Sequence, residues 1–445
     1  MLIIYSSTQD NYKLSEVETL KEYTSLSEFL GVWNEILTAE HETLPLCAAE
    51  NITSEFVSLP RGTFLQDKYI LGGTMKYMNE NNFHGSDILF KLYELINKQC
   101  TKLFKSYYSD ARAFSGMSAI ITLLMALFKS GDYVLLTSTE TGGHSSMPFV
   151  CERLGIKYDY LPYSYDDKDF DYESINIKLA DCKINGILIA LSDMIEQPQL
   201  DKLNLGETIL IYDATQILGM IGAGALANPF DWFSDKQNVI LMGATHKTLP
   251  GPACGLIMMQ NKELAERIDE IINPKYIRNV QLDNIVSLLF SLYELEEFGS
   301  EYFKSVHFCT DCIGGILKEN GLNVLTTREG TFTQTHQLWL SISKEAECWL
   351  ERSIELCGIS LNVRKKKIYN EYGIRIGLQQ IARYNWDYNA IKSVADILLL
   401  AINKKCNPKQ IRRIMDTLPP RKIHFTFDAE TVKMIKKKMS HYCDI

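Results

Sequence analysis

Within residues 237–259, QNVILMGATHKTLPGPACGLIMM, an apolar run at 239–242 delivers Thr245, His246 and Lys247 to a turn closed by Pro250, Gly251 and Pro252. Such a run reads as a buried strand, so Lys247 is displayed at a strand end. It is flanked by hydroxyls and an imidazole rather than by acidic residues, and partial burial there favours the uncharged amine. A neutral amine condenses with an aldehyde to form a Schiff base. The competing reading is a solvated loop lysine, the lot of most of the 46 Lys and Arg residues. The partners elsewhere in the chain decide between them.

The obvious aldehyde is pyridoxal 5'-phosphate, which needs an anion beside its ring nitrogen, a cradle for its phosphate and a surface for its ring. Asp213 ends the strand-like ETILIYDATQ, 34 residues before the lysine. A carboxylate there could pair with the pyridinium and preserve the ring's electron-sink character; otherwise it is a turn or N-cap residue. Ser115 and Gly116 stand ahead of a helical run in FSGMSAIITLLMALF, offering a hydroxyl and backbone N–H groups to an anion, although Ser-Gly before a helix is also plain capping. In TGGHSS, two glycines lead to His144, which could lie flat on the ring or be a hydrogen-bonded structural histidine. Ser192, closing GILIALSD, is positioned for the phenolic oxygen. For a substrate carboxylate, Arg375 lies between Ile374 and Ile376 in YGIRIGLQQIARY. Strand alternation sends it to the face opposite both isoleucines, where a planar guanidinium suits bidentate capture. Arg383 is a second, less well framed candidate.

These residues need a frame. From about residue 60 to 260, helical runs (90–104, and 117–130 stopped by Gly131) alternate with strand-like runs (133–137, 186–191, 208–212, 239–242). That alternation predicts an α/β fold with a mostly parallel sheet covered by helices, binding ligands beyond the carboxyl ends of its strands. Helices dominate again at 261–317, with a long one over 282–298. The remainder mixes strands such as 337–342 with helices such as 390–403. The expected division is a helical N-terminal arm at 1–60, with helical spacing over 14–37, a large α/β domain at 61–300 and a smaller α+β domain at 301–445.

A net charge of −9, with 46% hydrophobic and 23% charged residues, describes an ordinary soluble globular chain and argues against a nucleic-acid partner. The basic runs 364–367 and 436–438 lack aromatic interleaving and read as solvated faces. Of 11 cysteines, only Cys309 and Cys312 form a Cys-x-x-Cys spacing, inside a helical run and without a second pair, so no metal site is expected. Plain thiols point to a reducing compartment. The start MLIIYSSTQDNY does not read as a signal peptide, and no apolar stretch approaches the ~18 residues of a membrane span. A cytoplasmic location without membrane contact is the expectation.

Taken in order, AENITS, FSGMSA, TGGH, YDATQILGMIGAG, THKTLPGP and GIRIG resemble the serine hydroxymethyltransferase family of fold-type I pyridoxal-phosphate enzymes across most of the chain. The resemblance implies Lys247 as the Schiff-base lysine, Asp213 on the pyridine nitrogen, His144 stacked on the ring, Ser115 and Gly116 on the phosphate, Ser192 near the phenolic oxygen and Arg375 on the substrate carboxylate. Gln216 and Thr245 complete the expected cofactor set. His246 joins Lys247, His144 and Asp213 in the catalytic set, and Glu50, Tyr69 and His84 join Arg375 as substrate-binding residues. Such enzymes are usually dimers that share active sites, and Tyr69 is the residue expected to visit the neighbour.

Departures from the family pattern bear on function. The acidic residue tied to hydroxymethyl and folate chemistry is Leu71 here, and a tyrosine pair is Asn82 and Phe83. The serine before Glu50 is Ala49, and the histidine three residues after the cofactor aspartate is Gln216. The glycine-rich partner loop is absent near INPKYIRN, where Arg278 and Lys275 are candidate replacements, and the connection from Asn362 to Arg375 looks short. The expectation is an aldol-type transferase or lyase acting at the Cα–Cβ bond of glycine or a β-hydroxy amino acid, without folate. The alternatives are racemisation, decarboxylation or transamination on the same cofactor, an ordinary folate-dependent hydroxymethyltransferase, and a regulatory protein that keeps the fold without turnover.

Overall fold

The computed structural model of the chain describes residues 24–72, 83–234, 237–402 and 406–440. Seven strands build the main sheet: β1 (Tyr108–Ala113), β2 (Tyr133–Leu136), β3 (Lys157–Tyr160), β4 (Gly186–Ala190), β5 (Ile209–Asp213), β6 (Val239–Ala244) and β7 (Gly255–Met259). Their spatial order is β1-β7-β6-β5-β4-β2-β3. β7 pairs antiparallel with both neighbours and the remaining pairs are parallel, giving the mostly parallel sheet the alternation predicts. Every residue of β4, β5 and β6 is buried, as strands covered on both faces must be. Because these three strands are parallel neighbours, their carboxyl ends bring Ser192, Asp213 and the 245–247 turn to one edge.

Five helices matter for the site: α1 (Thr24–Glu42), α2 (Phe90–Phe104), α3 (Gly116–Leu127), α4 (Leu282–Glu319) and α5 (Tyr388–Ile402). α2 buries Phe90, Tyr93, Ile96, Cys100 and Phe104 at helical spacing and stops at Lys105, whose backbone is left-handed. α3 ends at Leu127, before the expected Ser130, because Phe128 is already extended. The helix expected over 282–298 instead continues to Glu319, 38 residues in all, a length of about 57 Å. No proline interrupts it, and Tyr302, Val306, Cys309, Ile313 and Leu317 prolong its buried stripe. Cys309 and Cys312 are free thiols within it. α4 packs on α2, on α5 and on a second sheet, spanning both halves of the fold.

That second sheet is antiparallel, with β8 (Asn323–Val324), β9 (Gln337–Ser341), β10 (Asn362–Lys366) and β11 (Glu371–Gly377) in the order β8-β9-β11-β10. Register places Trp339, Arg375 and Asn362 side by side, and cross-strand neighbours share a face. Ile374 and Ile376 are fully buried on the other face, as alternation predicts. The same period of two puts Arg364 and Lys366 on the Arg375 face. There both approach the buried Asp193 carboxylate, which overturns the reading of a solvated face for Arg364 and Lys366, while Lys365 and Lys367 are exposed as expected.

Residues 44–45 pair in parallel with 359–360 as a separate two-stranded sheet, tying the segment before AENITS to the residues that lead into β10. α1 leaves Leu26, Phe29, Val32, Trp33, Ile36 and Leu37 exposed. Residues 14–23 of the expected helix lie outside the described residues. Among the described residues no helix is long and apolar enough to cross a membrane.

Candidate active site

Lys247 sits in the turn after β6, with the Asn51 side-chain amide donating to its carbonyl at 2.5 Å. Asn51 also meets the Tyr302 hydroxyl at 3.0 Å, so AENITS and α4 jointly fix the turn. The Thr245 hydroxyl donates to Pro252 O at 2.7 Å and is spent closing the turn. Burial lowers the Lys247 pKa to about 8; Asp213 opposes the shift and Arg375 adds to it. A lysine so placed is about one-tenth neutral at pH 7, against well under a hundredth for an ordinary lysine. His246, beside it, is also held below the ordinary imidazole value, first by burial and then by the Lys247 charge.

Asp213 is buried at the end of β5. Its Oδ1 accepts from Thr215 N at 2.9 Å and from the Thr215 hydroxyl, which orients the carboxylate. Burial raises its pKa, while Thr215, Lys247 and His144 pull the other way. His144 follows Gly142, whose positive φ of 94° and approach to Asp193 O exclude a side chain. Its backbone N–H donates to Ala190 O at 3.0 Å, and its Nδ1 accepts from Ser146 N at 3.3 Å. Nδ1 is therefore the unprotonated nitrogen. Burial, then the Lys247 and Lys366 charges, lower its pKa against the pull of Asp213.

Ser115 caps α3 reciprocally with Ser118: Ser115 Oγ accepts from Ser118 N at 3.1 Å, and Ser118 Oγ from Ser115 N at 2.9 Å. A Cβ on Gly116 would stand 2.9 Å from the Ala244 Cβ, so glycine lets α3 press onto β6 beside the lysine turn. The Gln216 amide lies between Lys247 and Ala48. With its oxygen toward the lysine it accepts from Nζ at 2.8 Å and its nitrogen donates to Ala48 O at 3.2 Å.

Arg375 is 3% exposed. Nη1 donates to Ser192 O at 2.6 Å and Nη2 to Asn362 Oδ1 at 2.7 Å, while Nε is buried with no acceptor. A guanidinium has five donors, and this edge is the kind that takes an incoming carboxylate. Burial lowers its pKa, with Asp193 opposing. Arg383, the second candidate, is not a site residue: it is buried against Glu294 at 3.5 Å, with its cation over the Tyr302 ring.

Lys247, Asp213, His144, Gln216, Ser192 and Arg375 thus converge, and the side of the site facing the small sheet adds residues the sequence reading did not identify: Asp193, Asn362 and His336. The alternation of β10 was the available signal for Asn362; Asp193 and His336 carried none. Glu50 is exposed and contributes its backbone carbonyl to Gln379. Tyr69 packs on Phe83 with centroids 4.5 Å apart and the rings tilted by 36°, and His84 is exposed. Among the described residues no hydrogen bond or ion pair links Tyr69 or His84 to this cluster. Asn82 lies outside the described residues, and Lys275 pairs on the surface with Glu270 at 2.6 Å.

His336 is fully buried, with Nε2 3.2 Å from Ala48 O, and burial lowers its pKa to about 3. An unfolded histidine titrates near 6.5, so this group's contribution to stability is complete above about pH 6.5 and is lost as pH falls toward 3, on the order of 4 kcal/mol. The His336→Asn variant is expected to be less stable at pH 7 yet to lose less on acidification. Urea unfolding from pH 7 to 4 checks this, and a wild-type-to-variant difference independent of pH would contradict it.

A depressed lysine, an oriented buried carboxylate and a capped helix N-terminus pressed against the lysine strand fit pyridoxal 5'-phosphate. A family model described as serine hydroxymethyltransferase matches residues 27–398. The chain is 26% identical over 432 residues to the serine hydroxymethyltransferase of Archaeoglobus fulgidus, covering 92% of this chain and 96% of that protein. It is 27% identical over 416 residues to that of Pyrococcus horikoshii, covering 87% and 95%. The crystal structure of L-threonine transaldolase from Pseudomonas fluorescens, in its internal aldimine state, shares the fold with a TM-score of 0.83 at 21% identity, covering 95% of this chain and 98% of that one.

Proposed function

The chain belongs to the serine hydroxymethyltransferase family, and from that premise we propose that it makes or breaks the Cα–Cβ bond of glycine or a β-hydroxy amino acid without tetrahydrofolate, as a homodimer. It is a pyridoxal-phosphate-dependent transferase or aldolase. When bound, pyridoxal phosphate supplies an aldehyde for amines and an electron-poor ring that takes up the electron pair of a bond broken at Cα.

The chain's own groups divide the work. Lys247 presents an amine whose neutral form is within easy reach, its pKa lowered to about 8, in a turn held by Asn51. Asp213, fixed by Thr215, would hold a proton on the ring nitrogen. The half-buried His144 would cover the ring, and Ser115 with the first turn of α3 would hold the phosphate. Arg375 Nε would bind the substrate carboxylate and so fix which Cα bond stands ready to break. Burial holds both His144 and His246 below the ordinary imidazole value; His144 Nδ1 already accepts from Ser146 N, whereas His246 Nδ1 is buried without a partner, so His246 would be the imidazole that takes a proton from a β-hydroxyl.

The observation that carries the folate-independent reading is Leu71. This residue, 6% exposed, occupies the position where the family pattern has a titratable carboxylate. Leucine moves no proton, and general acid–base catalysis contributes ~100- to 10,000-fold. With serine, threonine or glycine plus aldehydes, mass spectrometry should show glycine and aldehyde exchanged into β-hydroxy amino acids at rates insensitive to tetrahydrofolate. Strong folate stimulation of serine-to-glycine conversion would return the protein to ordinary hydroxymethyl transfer. Deuterium exchange at Cα without C–C bond change would favour racemase-like chemistry.

The exposed apolar face of α1 supports a dimer. Phe29→Lys with Trp33→Glu is expected to shift sedimentation toward the monomer and lower activity with dilution. A dimer unaffected by both changes would remove α1 from the interface.

A further inference from the structure

Asp193 directly follows Ser192 and is 2% exposed. Its Oδ2 receives Lys366 Nζ at 2.7 Å, and its Oδ1 accepts from the Tyr369 hydroxyl at 2.9 Å. Arg364 Nε stands 3.2 Å and Arg375 Nη1 3.5 Å from that same Oδ1. Three cations therefore converge on one carboxylate, with side-chain exposures of 25% for Arg364, 17% for Lys366 and 4% for Arg375. The Asp193 carboxyl, which burial alone would raise, is held below the usual carboxylate range by these cations. Glu140 and Glu371 stand nearby but are exposed.

Like charges drawn out of water repel strongly, and an unbalanced excess persists in a fold only where something else balances it. Here the surplus is two positive charges. The substrate's α-carboxylate at Arg375 balances one of them; a serine- or threonine-like side chain offers nothing to the other. The Nε of Arg375 is buried with no acceptor, and Lys366 gives only one of its ammonium hydrogens to Asp193, so the cluster has donors to spare as well as charge. It also lies within electrostatic reach of the reacting groups, since Lys366 acts on His144, and Arg375 and Asp193 act on Lys247.

We infer that Arg364 and Lys366 form a second anion subsite beside Arg375, selecting a β-hydroxy amino acid, or the aldehyde exchanged with it, that carries a carboxylate or phosphate beyond Cβ. The inference rests on the aldol reading for the substrate's backbone. For 3-hydroxyaspartate the step balances without an added reactant: the Cα–Cβ bond breaks, the β-hydroxyl loses its proton as the carbon becomes the aldehyde of glyoxylate, and Cα gains a proton to give glycine.

The test uses the holoenzyme as wild type, Lys366→Met and Lys366→Arg, with calorimetric affinities for 3-hydroxyaspartate, threonine and a triglutamyl tetrahydrofolate, alongside turnover of the two amino acids. Wild type should bind 3-hydroxyaspartate about tenfold or more tightly than threonine, the gain of one charge-assisted contact. Lys366→Met should collapse that ratio by about tenfold, and Lys366→Arg should keep most of it. Equal affinities in the wild type, or a ratio unchanged in Lys366→Met, would overturn the subsite. A loss confined to the triglutamyl folate would overturn it too, by assigning the cations to a folate tail. If the affinity ratio behaves as expected while neither amino acid is cleaved, the subsite stands and the aldol reading falls.

Discussion

Lys247→Ala is expected to purify without covalently held cofactor and to lose turnover by roughly 1,000-fold or more, because the amine that captures the aldehyde and a group able to carry protons at Cα disappear together. Borohydride reduction of the wild-type holoenzyme followed by peptide mapping should place the adduct on Lys247. The pH dependence separates this lysine from any other. Its pKa is lowered to about 8, chiefly by burial, so below pH 8 most of the amine is ammonium and has no free electron pair. The rate at which apoenzyme captures pyridoxal phosphate should therefore climb with pH and level off above about 8. An ordinary lysine, titrating near 10.4, would keep climbing to pH 10. An adduct on a neighbouring lysine such as Lys366, or a rate still rising at pH 10, would remove Lys247 from the centre of the site.

Arg375→Ala is expected to weaken amino-acid binding by about 10- to 150-fold, as hydrogen bonds to charged groups contribute ~1.5–3 kcal/mol. Cofactor affinity should change far less, because among the described residues the guanidinium bonds Ser192 O, Asn362 and Asp193 rather than the end of α3 where a phosphate would lie. Arg375→Lys should restore binding only in part: an ammonium keeps the charge but cannot hold Ser192, Asn362 and a bidentate carboxylate together. Equal losses of cofactor and substrate affinity would show that Arg375 acts mainly as the pin between β11 and the segment after β4.

Much of this protein could be read along the chain, because the signals are local. Buried strands announce themselves as unbroken apolar runs, so β4, β5 and β6 were legible, and with them the strand ends that carry Asp213 and Lys247. Ser115 and Gly116 before an apolar run marked the start of α3, and the alternation around Arg375 fixed the face it points to. The length of α4 beyond Phe298 was less visible. Glu297, Gly299, Ser300, Glu301, Lys304 and Ser305 dilute its apolar pattern, and the buried stripe through Tyr302 and Val306 is recognisable only once the second sheet covers it.

Charge was where the chain alone misled. Arg364 to Lys367 looks like a solvated basic run, since sequence records how many charges are adjacent but not what stands across from them. Asp193 lies 171 residues before Arg364, and only the folding of the small sheet against the end of β4 turns every second residue of that run onto one buried carboxylate. Arg383 erred in the opposite direction: it shares the residue type and the neighbourhood of Arg375, but the short helix Gln379–Ala382 after β11 carries it to Glu294 on α4. The order of residues along the chain determined that a lysine and an aspartate stood at strand ends and an arginine within a strand. Tertiary structure decided which cations share a carboxylate, because desolvation and Coulomb energy depend on distances through space that sequence separation does not encode.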